Sequence, residues 1–325
     1  MVDGPRQLTE LSRRSWWGTL RRTAKGFRED NLSDLAAALT YYAVLSIFPG
    51  LLVLVSLLGL AGQSTTQPLI DSVTRLAPGA VRQILTEAVT GLQRSRGAGV
   101  IAILGLLGAL WSASGYVGGF MRAANAVYEV PEGRPFWKTV PIRLGVTVVT
   151  TVLVAISALA VVVSGPLADR IGGFLGLKGI TVTVFEIAKW PVLVLVVMLV
   201  LGLLYWASPN ARPTGFRWIS PGILLAVLLW IVTSAGFAAY VAGFSSFNKT
   251  YGVLAGVIVF LVWLWLTNIA ILLGLEFDAE LERARAIERG VPPDEEPFVP
   301  LRDDRTLAPD DNAHGRGTAR VDRAG

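Results

Sequence analysis

From Gly252 to Leu275 the chain carries no charged residue. At a rise of about 1.5 Å per residue, a helix of that length crosses a hydrocarbon core of roughly 30 Å. Charge returns at Glu276 and accumulates through Asp278, Glu280, Glu282 and Arg283. The pattern predicts a membrane-spanning helix that leaves the bilayer at its C-terminal end. At about 100° per residue, Gly252, Gly256, Trp263, Thr267, Ala270 and Gly274 share one narrow arc. Small residues on such an arc let a second helix approach closely, a contact that lipid does not drive by hydrophobicity. Asn268 and Glu276 fall roughly on the other side. An amide at that depth needs a partner or a wet cavity. Two readings of Asn268 follow: a hydrogen bond to a neighbouring helix, or a place on a permeation path.

The rest of the chain fits a lipid solvent. Hydrophobic residues make up 53% and charged residues 16%, whereas soluble domains carry about 25% charged residues. No cysteine is present, so disulfides and thiolate metal sites are excluded, and the one histidine, His314, stands in a polar tail. The net charge of +5 is concentrated in the N-terminal arm and the loops. Basic flanks on apolar helices point to anionic headgroups and to control of topology rather than to nucleic acid. The first apolar run follows about thirty arginine-rich residues, unlike a cleavable signal peptide.

An all-α, polytopic membrane protein with six transmembrane helices is therefore expected. Residues 1–33 form a basic segment in which Trp16, Trp17, Leu20, Ala24 and Phe27 alternate with Arg13, Arg14, Arg21, Arg22, Lys25 and Arg28. It reads as an amphipathic helix on the membrane surface, or as a leader that only sets orientation. Residues 34–285 form the membrane domain, with spans at about 35–61, 98–121, 144–164, 183–207, 219–242 and 252–275. Ser33 or Asp34 is placed to cap the first span. Within that span Tyr41, Tyr42 and Ser46 are polar candidates for a path, and Pro49 is a helix-kink candidate. Residues 63–96 read as two short amphipathic helices on the outer face. Gly105, Gly115 and Gly119 form a packing stripe on the second span. Glu186 and Lys189 open the fourth span three residues apart, positioned to pair. Residues 286–325 are Pro-, Asp-, Arg- and Gly-rich and are expected to be disordered. Most of the 29 Lys and Arg fall in the two termini and in the loops after spans two and four. The positive-inside rule then puts both termini in the cytoplasm.

Several short pieces occur in a familiar order. They are the turn Tyr205, Pro209, Asn210, Arg212; Trp218 with Pro221-Gly222 opening a helix; Tyr251-Gly252 opening the last span; and Leu273-Gly274 with Glu276 closing it. The run from Leu35 to Tyr42, then Leu45-Ser46 and Phe48-Pro49, and Asn125 with Tyr128, complete the set. Over residues 30 to 285 the chain resembles the YihY/BrkB family of bacterial inner-membrane proteins. Trp206, Ala207 and the long tail depart from that pattern. The resemblance implies a six-helix integral membrane protein without a settled activity. Some relatives are called virulence factors, and others carry the label ribonuclease BN through naming inherited by similarity.

Three functions are weighed. The first is a transporter or exporter acting on a lipid or envelope-related substrate, for which the kinked first span and Asn268, Tyr41 and Tyr42 speak. No phosphate-binding loop of the Walker type is present, so ATP is not its energy source within this chain. The second is a non-transporting structural or accessory protein of the envelope. The third, a membrane-associated ribonuclease, lacks the clustered carboxylates or histidines that such hydrolysis uses. Asp278, Glu280 and Glu282 read instead as a solvated helix exit. No catalytic residue, metal site or cofactor is expected. The expected partners are membrane lipids, with a second copy or an envelope protein as further partners, and no nucleic acid.

Overall fold

The computed structural model describes residues 13–60, 98–162, 180–212, 219–243, 252–293 and 295–307. These form seven helices: α1 (Arg13–Glu29), α2 (Leu32–Leu60), α3 (Ala98–Val127), α4 (Phe136–Val162), α5 (Ile180–Ala207), α6 (Pro221–Gly243) and α7 (Gly252–Glu288). Among the described residues the only β pairing is an isolated bridge between Ala211 and Leu301. Among the described residues, four segments are long and apolar enough to cross a membrane: Phe136–Ser157, Ile187–Ala207, Pro221–Val241 and Gly256–Glu288. They overlap the last four expected spans, with ends up to thirteen residues away. The first two expected spans lie on α2 and α3, helices of 29 and 30 residues. The amphipathic helices expected over 63–96 fall outside the described residues, as does the side chain of Glu186.

Two compact units divide the chain. The first comprises residues 1–41, 117–143 and 201–325, and the second residues 42–116 and 144–200.

In the first unit, α1 ends at Glu29 and α2 begins at Leu32. The turn between them is made by Asn31, in the left-handed region at φ 50°. Asparagine tolerates that region better than most residues do. The Asn31 carbonyl accepts the N–H groups of Asp34 at 2.9 Å and Leu35 at 3.1 Å. The helix therefore starts ahead of Ser33 and Asp34, which occupy its first turn rather than capping it. Asp34 still faces the positive end of the helix dipole. The α1 helix lays one side on α7, where Trp16 meets Phe277 at 6.2 Å between ring centres. Trp17, its neighbour, stays exposed.

Helices α6 and α7 touch through backbone. A Cβ on Gly222 would stand 2.1 Å from the Gly274 carbonyl oxygen, and one on Gly274 would stand 2.4 Å from that of Gly222. Glycine is required at both positions. Higher on the same contact, Trp263 Nε1 donates to Ser234 Oγ at 3.1 Å and Ala270 is buried. The expected stripe does not extend to Gly256, which faces open space. A small residue permits close approach but does not compel it. Gly252 and Gly105 have no described surroundings. Ser220 caps α6, its Oγ accepting the Ile223 N–H at 3.1 Å, and Pro221 takes the first helical position, where a missing N–H costs nothing.

The described residues within 286–307, the first part of the tail expected to be disordered, depart from that expectation. Helix α7 runs on to Glu288 and stops at Gly290, whose φ is 94°. The chain then returns, with Phe298 and Val299 buried. Arg212 N–H donates to the Pro300 carbonyl at 2.8 Å, and Arg302 N–H to that of Asn210 at 2.8 Å. Two large apolar residues suffice to seat a segment whose average composition reads as disordered. Residues 308–325 lie outside the described residues.

In the second unit the helices present apolar side chains outward. Val148, Val149, Val152, Val154 and Ile156 on α4 are exposed, as are Ile187, Trp190, Val192 and Leu195 on α5. A surface of that kind belongs in lipid. Hydroxyls in this unit return to their own helix: Thr150 donates to the Val146 carbonyl at 2.8 Å, and Ser157 to that of Leu153 at 2.8 Å. A Cβ on Gly115 would meet Tyr42 Cδ1 at 3.5 Å, an ordinary contact. Gly119, in the first unit, is buried.

Candidate functional site

Polar side chains of the first unit gather along α7 and the elements folded against it. The deepest is Asn268, 1% exposed. Its Nδ2 donates to Thr40 Oγ1 on α2 at 3.1 Å, and the Thr40 hydroxyl in turn donates to the Ala36 carbonyl at 2.8 Å. Trp265 Nε1 adds a second link between the same helices, to the Ser33 carbonyl at 3.2 Å. Of the two sequence readings of Asn268, a bond to a neighbouring helix is present.

Two turns further along α7 stands Glu276, 3% exposed. It shares a hydrogen bond with Asp30, at the elbow between α1 and α2. Ionised carboxylates only accept hydrogen bonds, so this pair needs a proton between its members. The second oxygen of Glu276, Oε2, is buried without a hydrogen-bond partner. Burial pushes the Asp30 carboxyl up to about 6, and the charges of Glu129, Glu29 and Glu280 push the same way against the hydrogen bond from Glu276. Gly26 lies directly beneath the pair: a Cβ there would stand 2.1 Å from Glu276 Oε1 and 3.4 Å from Asp30 Oδ2. Any other residue at position 26 collides with the carboxyls.

Past Glu276 the acids expected to be solvated are committed to partners. Asp278 Oδ1 accepts the Gly222 N–H at 2.8 Å, and its other oxygen accepts the Ser220 hydroxyl. Glu280 pairs with Arg22 of α1 and with Arg283 at 3.3 Å. Glu282 pairs with Arg285 at 2.6 Å. Glu276, Glu280 and Glu282 are all buried. The solvated-exit reading is therefore wrong. Helix α1 and the returning tail cover this stretch, and a covered charge must be paired. Arg283 also pairs with Glu129 and lies over the Phe298 ring at 4.2 Å. Ser15 of α1 donates to Glu288. No group of three or more acids or histidines placed to hold a metal ion occurs among the described residues.

The turn after α5 forms a third cluster. Asn210 is fully buried. Its backbone N–H donates to Asn125 Oδ1 at 2.7 Å, and its Nδ2 donates to the carbonyls of Pro131 at 3.0 Å and Asp303 at 2.8 Å. Its Oδ1 accepts the Asp303 N–H at 3.1 Å. One residue, through its backbone N–H and its side-chain amide, thus joins α3, the loop after it, the turn and the tail. Pro209, beside it, is fully buried. Arg134 locks the same loop: it holds Glu132 through two bonds of 2.7 Å and donates to the Ser208 carbonyl at 2.7 Å. Burial works to raise the Glu132 carboxyl, but Arg134 and Asn125 outweigh it and hold the group below the usual range. Tyr205 stacks on Phe120 and donates its hydroxyl to the Ile271 carbonyl. Arg212 is exposed and donates to the Arg302 carbonyl at 3.2 Å. Trp206, where the chain departs from the pattern it resembles, carries the Arg302 guanidinium 5.1 Å above its ring. Two departures, Trp206 and the tail, meet each other.

The other candidate path residues lie elsewhere. Tyr41 is exposed. Tyr42 and Ser46 belong to the second unit, where the Ser46 hydroxyl donates to the Tyr42 carbonyl at 2.7 Å. Helix α2 continues through Pro49, whose side chain is outside the described set. Sequence reasoning missed Thr40, Asp30, Gly26, Glu132 and Arg134. The one local signal was Gly26, and it was weak, since Gly18 stands in the same basic helix.

A family model described as virulence factor BrkB matches residues 23–298. The putative ribonuclease-like protein YfkH of Bacillus subtilis is 30% identical over 265 residues, 81% of this chain and 93% of that protein. A UPF0761 membrane protein of Alkalilimnicola ehrlichii is 28% identical over 275 residues, 79% of this chain and 57% of its own length. Another, from Aggregatibacter aphrophilus, is 24% identical over 267 residues, 80% and 90% of the two chains. No solved structure matches. With the model spanning both the buried carboxyl pair and the Asn210 turn, this bacterial-type membrane protein belongs to the virulence factor BrkB family.

Proposed function

We propose that the protein is a transporter or exporter of the bacterial inner membrane, acting on a lipid or envelope-related substrate. It has six spans, both termini are cytoplasmic, and it performs no catalysis. The first two spans are carried by α2 and α3, and the positive-inside distribution orients the whole. The observation that carries the reading is the Asp30–Glu276 carboxyl pair, which links α7 to the elbow just ahead of α2, the helix that Asn268 of α7 reaches through Thr40. Ionisable groups withdrawn from water at the end of a membrane helix are costly and mark ion or substrate pathways by default. Loss of the shared proton would set two carboxylates against each other and loosen α7 from the α1–α2 elbow, the kind of two-state contact that alternating access needs.

The test is flux in proteoliposomes. The wild type should move a labelled phospholipid or envelope precursor with a dependence on pH, and Glu276→Gln and Asn268→Ala should each slow it. A protein that moves none of them under any gradient ends the transport reading.

The second reading, an accessory protein of envelope integrity, is favoured by the stapling of α1 and the tail onto α7. Elements held that firmly present a fixed face to a partner. Crosslinking in cells should then recover an envelope protein or a second copy. The ribonuclease reading rests on names alone, the label carried by some family members and that of the Bacillus relative. Asp278, Glu280 and Glu282 each serve a different partner in this chain. Metal-dependent RNA cleavage lost on Asp278→Ala would restore it.

A further inference from the structure

The returning tail is held as a peptide ligand is held. Its backbone is read by groups from other elements of the first unit. The Arg212 N–H donates to the Pro300 carbonyl at 2.8 Å and the Arg302 N–H to the Asn210 carbonyl at 2.8 Å, on either side of the bridge between Ala211 and Leu301. The Asn210 side chain takes both backbone groups of Asp303, donating to its carbonyl at 2.8 Å and accepting its N–H at 3.1 Å. Gly133 lets that backbone come close: a Cβ there would stand 2.2 Å from the Asp303 carbonyl oxygen and 2.9 Å from Asp304 Cα. Main-chain bonds of this kind give affinity for an extended segment, and side-chain seats give selectivity. The segment's side chains find such seats. Phe298 stacks on Tyr128 at 6.3 Å, with the Arg283 guanidinium over its ring. Arg302 lies over Trp206 and donates to the Ala211 carbonyl at 2.6 Å. Asp303 pairs with Lys138.

The seat does not depend on its occupant. The Asn210 N–H is held by Asn125 Oδ1 at 2.7 Å, its Nδ2 also reaches the Pro131 carbonyl at 3.0 Å, and Arg134 ties Glu132 to the Ser208 carbonyl. These bonds remain when the segment leaves. The segment's tether is slight: α7 ends at Glu288, and Pro292 and Pro293 beyond it are exposed. Proline has no N–H to satisfy, so such a connector stands readily in water. A segment seated by few apolar anchors, here Phe298 and Val299, opens locally at a fraction of the cost of global unfolding. We propose that Gly133, Lys138, Trp206 and Asn210 form a peptide-binding site for an extended segment of the type Phe-Val-Pro-Leu-Arg-Asp, which the chain's own tail fills as a detachable strap. While seated, the strap fastens the loop after α3 to the turn after α5. The site stands whether or not the protein transports anything.

Peptide competition tests this. Full-length protein in nanodiscs is titrated with a fluorescein-labelled peptide of residues 297–307, and binding is read by anisotropy. A tethered segment competes at an effective concentration of about millimolar, so the wild type should bind the free peptide weakly. Arg302→Ala/Asp303→Ala, which loosens the tail from its side-chain seats, should bind it about tenfold more tightly or better. Adding Gly133→Ala should remove that gain, and a peptide of scrambled order should bind neither protein. Equal affinity for the wild type and the tail variant, or none for either, overturns the strap. Retention of the gain with Gly133→Ala overturns the seat, and binding of the scrambled peptide overturns its selectivity. A second measurement uses a lock. The chain has no cysteine, so Ala211→Cys/Leu301→Cys forms a single disulfide across the bridge, where facing Cα atoms lie about 4.5 Å apart. Oxidised, that protein should exclude the peptide at concentrations that the reduced form binds. Equal binding by the two forms means that the peptide lands elsewhere and overturns the site.

Discussion

In the second unit, Thr150 and Ser157 satisfy their hydroxyls one turn back on their own helix. In the first unit, Asn210 reaches Asn125 across 85 residues and Arg22 reaches Glu280 across 258. The contrast follows from what surrounds each region. A helix that shows Val152 and Ile156 to lipid has no polar neighbour to offer, so its hydroxyls turn inward to their own backbone. A stretch covered by other segments of chain can hold full charges, and then must, because each covered charge needs a counterpart. Self-contained polar groups leave a helix free to face any apolar neighbour. Mutually dependent ones fix which segments lie together.

Measurements can sharpen or break that contrast, and the largest effect is expected at Asn210. Asn210→Ala removes three side-chain hydrogen bonds and strands a buried N–H and two carbonyls, a loss of about 3 kcal/mol. Unfolding of the detergent-solubilised protein followed by circular dichroism reads it directly. A change below about 1 kcal/mol, the size of one ordinary hydrogen bond, would mean that water replaces the amide and the turn is no knot.

Next comes the backbone contact of α6 with α7. Gly222→Ala places a methyl group against the Gly274 carbonyl and should cost about 2 kcal/mol by forcing the helices apart. Gly256→Ala, in open space, should cost nothing measurable in the same assay. Equal costs at the two positions would remove the distinction between them.

A smaller effect should appear as a slope against pH. Asp30 binds its proton more tightly in the folded protein than its ordinary value of 3.8 allows, up to about 6. The folded state then holds more protons than the unfolded one between those values, and stability falls as pH rises from about 4 to about 6. Asp30→Asn, which keeps a donor for Glu276, should flatten the melting temperature over that range and raise it at neutral pH. An unaltered slope would assign the titration to another group.

The smallest effect is expected in the second unit. Ser157→Ala should change stability by no more than about 0.5 kcal/mol. A large loss there would erase the contrast from the other side.

The spans over α4 to α7 were legible because hydropathy and length are local properties, and Gly274 because its spacing from Ala270 and Thr267 is local too. Asn268 was legible as a helix-to-helix bond, while its partner Thr40, 228 residues distant, was not. Gly256 shares the arc of Gly274 yet faces nothing, since an arc states which side a residue is on and not whether a neighbour arrives. The acids after Glu276 looked solvated because the segments that bury them, α1 and the returning tail, are remote in sequence. The part of the tail through residue 307 was not legible because two buried side chains, Phe298 and Val299, outweigh its average composition. Gly26 fell in the same blind spot: its need for a bare backbone comes from Glu276, on another helix.

Helix α7 is one uninterrupted rod of 37 residues, about 55 Å at the usual rise, without proline along its length. Lacking a joint, it transmits rotation. A twist applied where Trp263 meets Ser234 must arrive at Arg283 and Glu288, and a tug on the tail must be felt back at Asn268. Whatever acts on one end of this axle acts on the other.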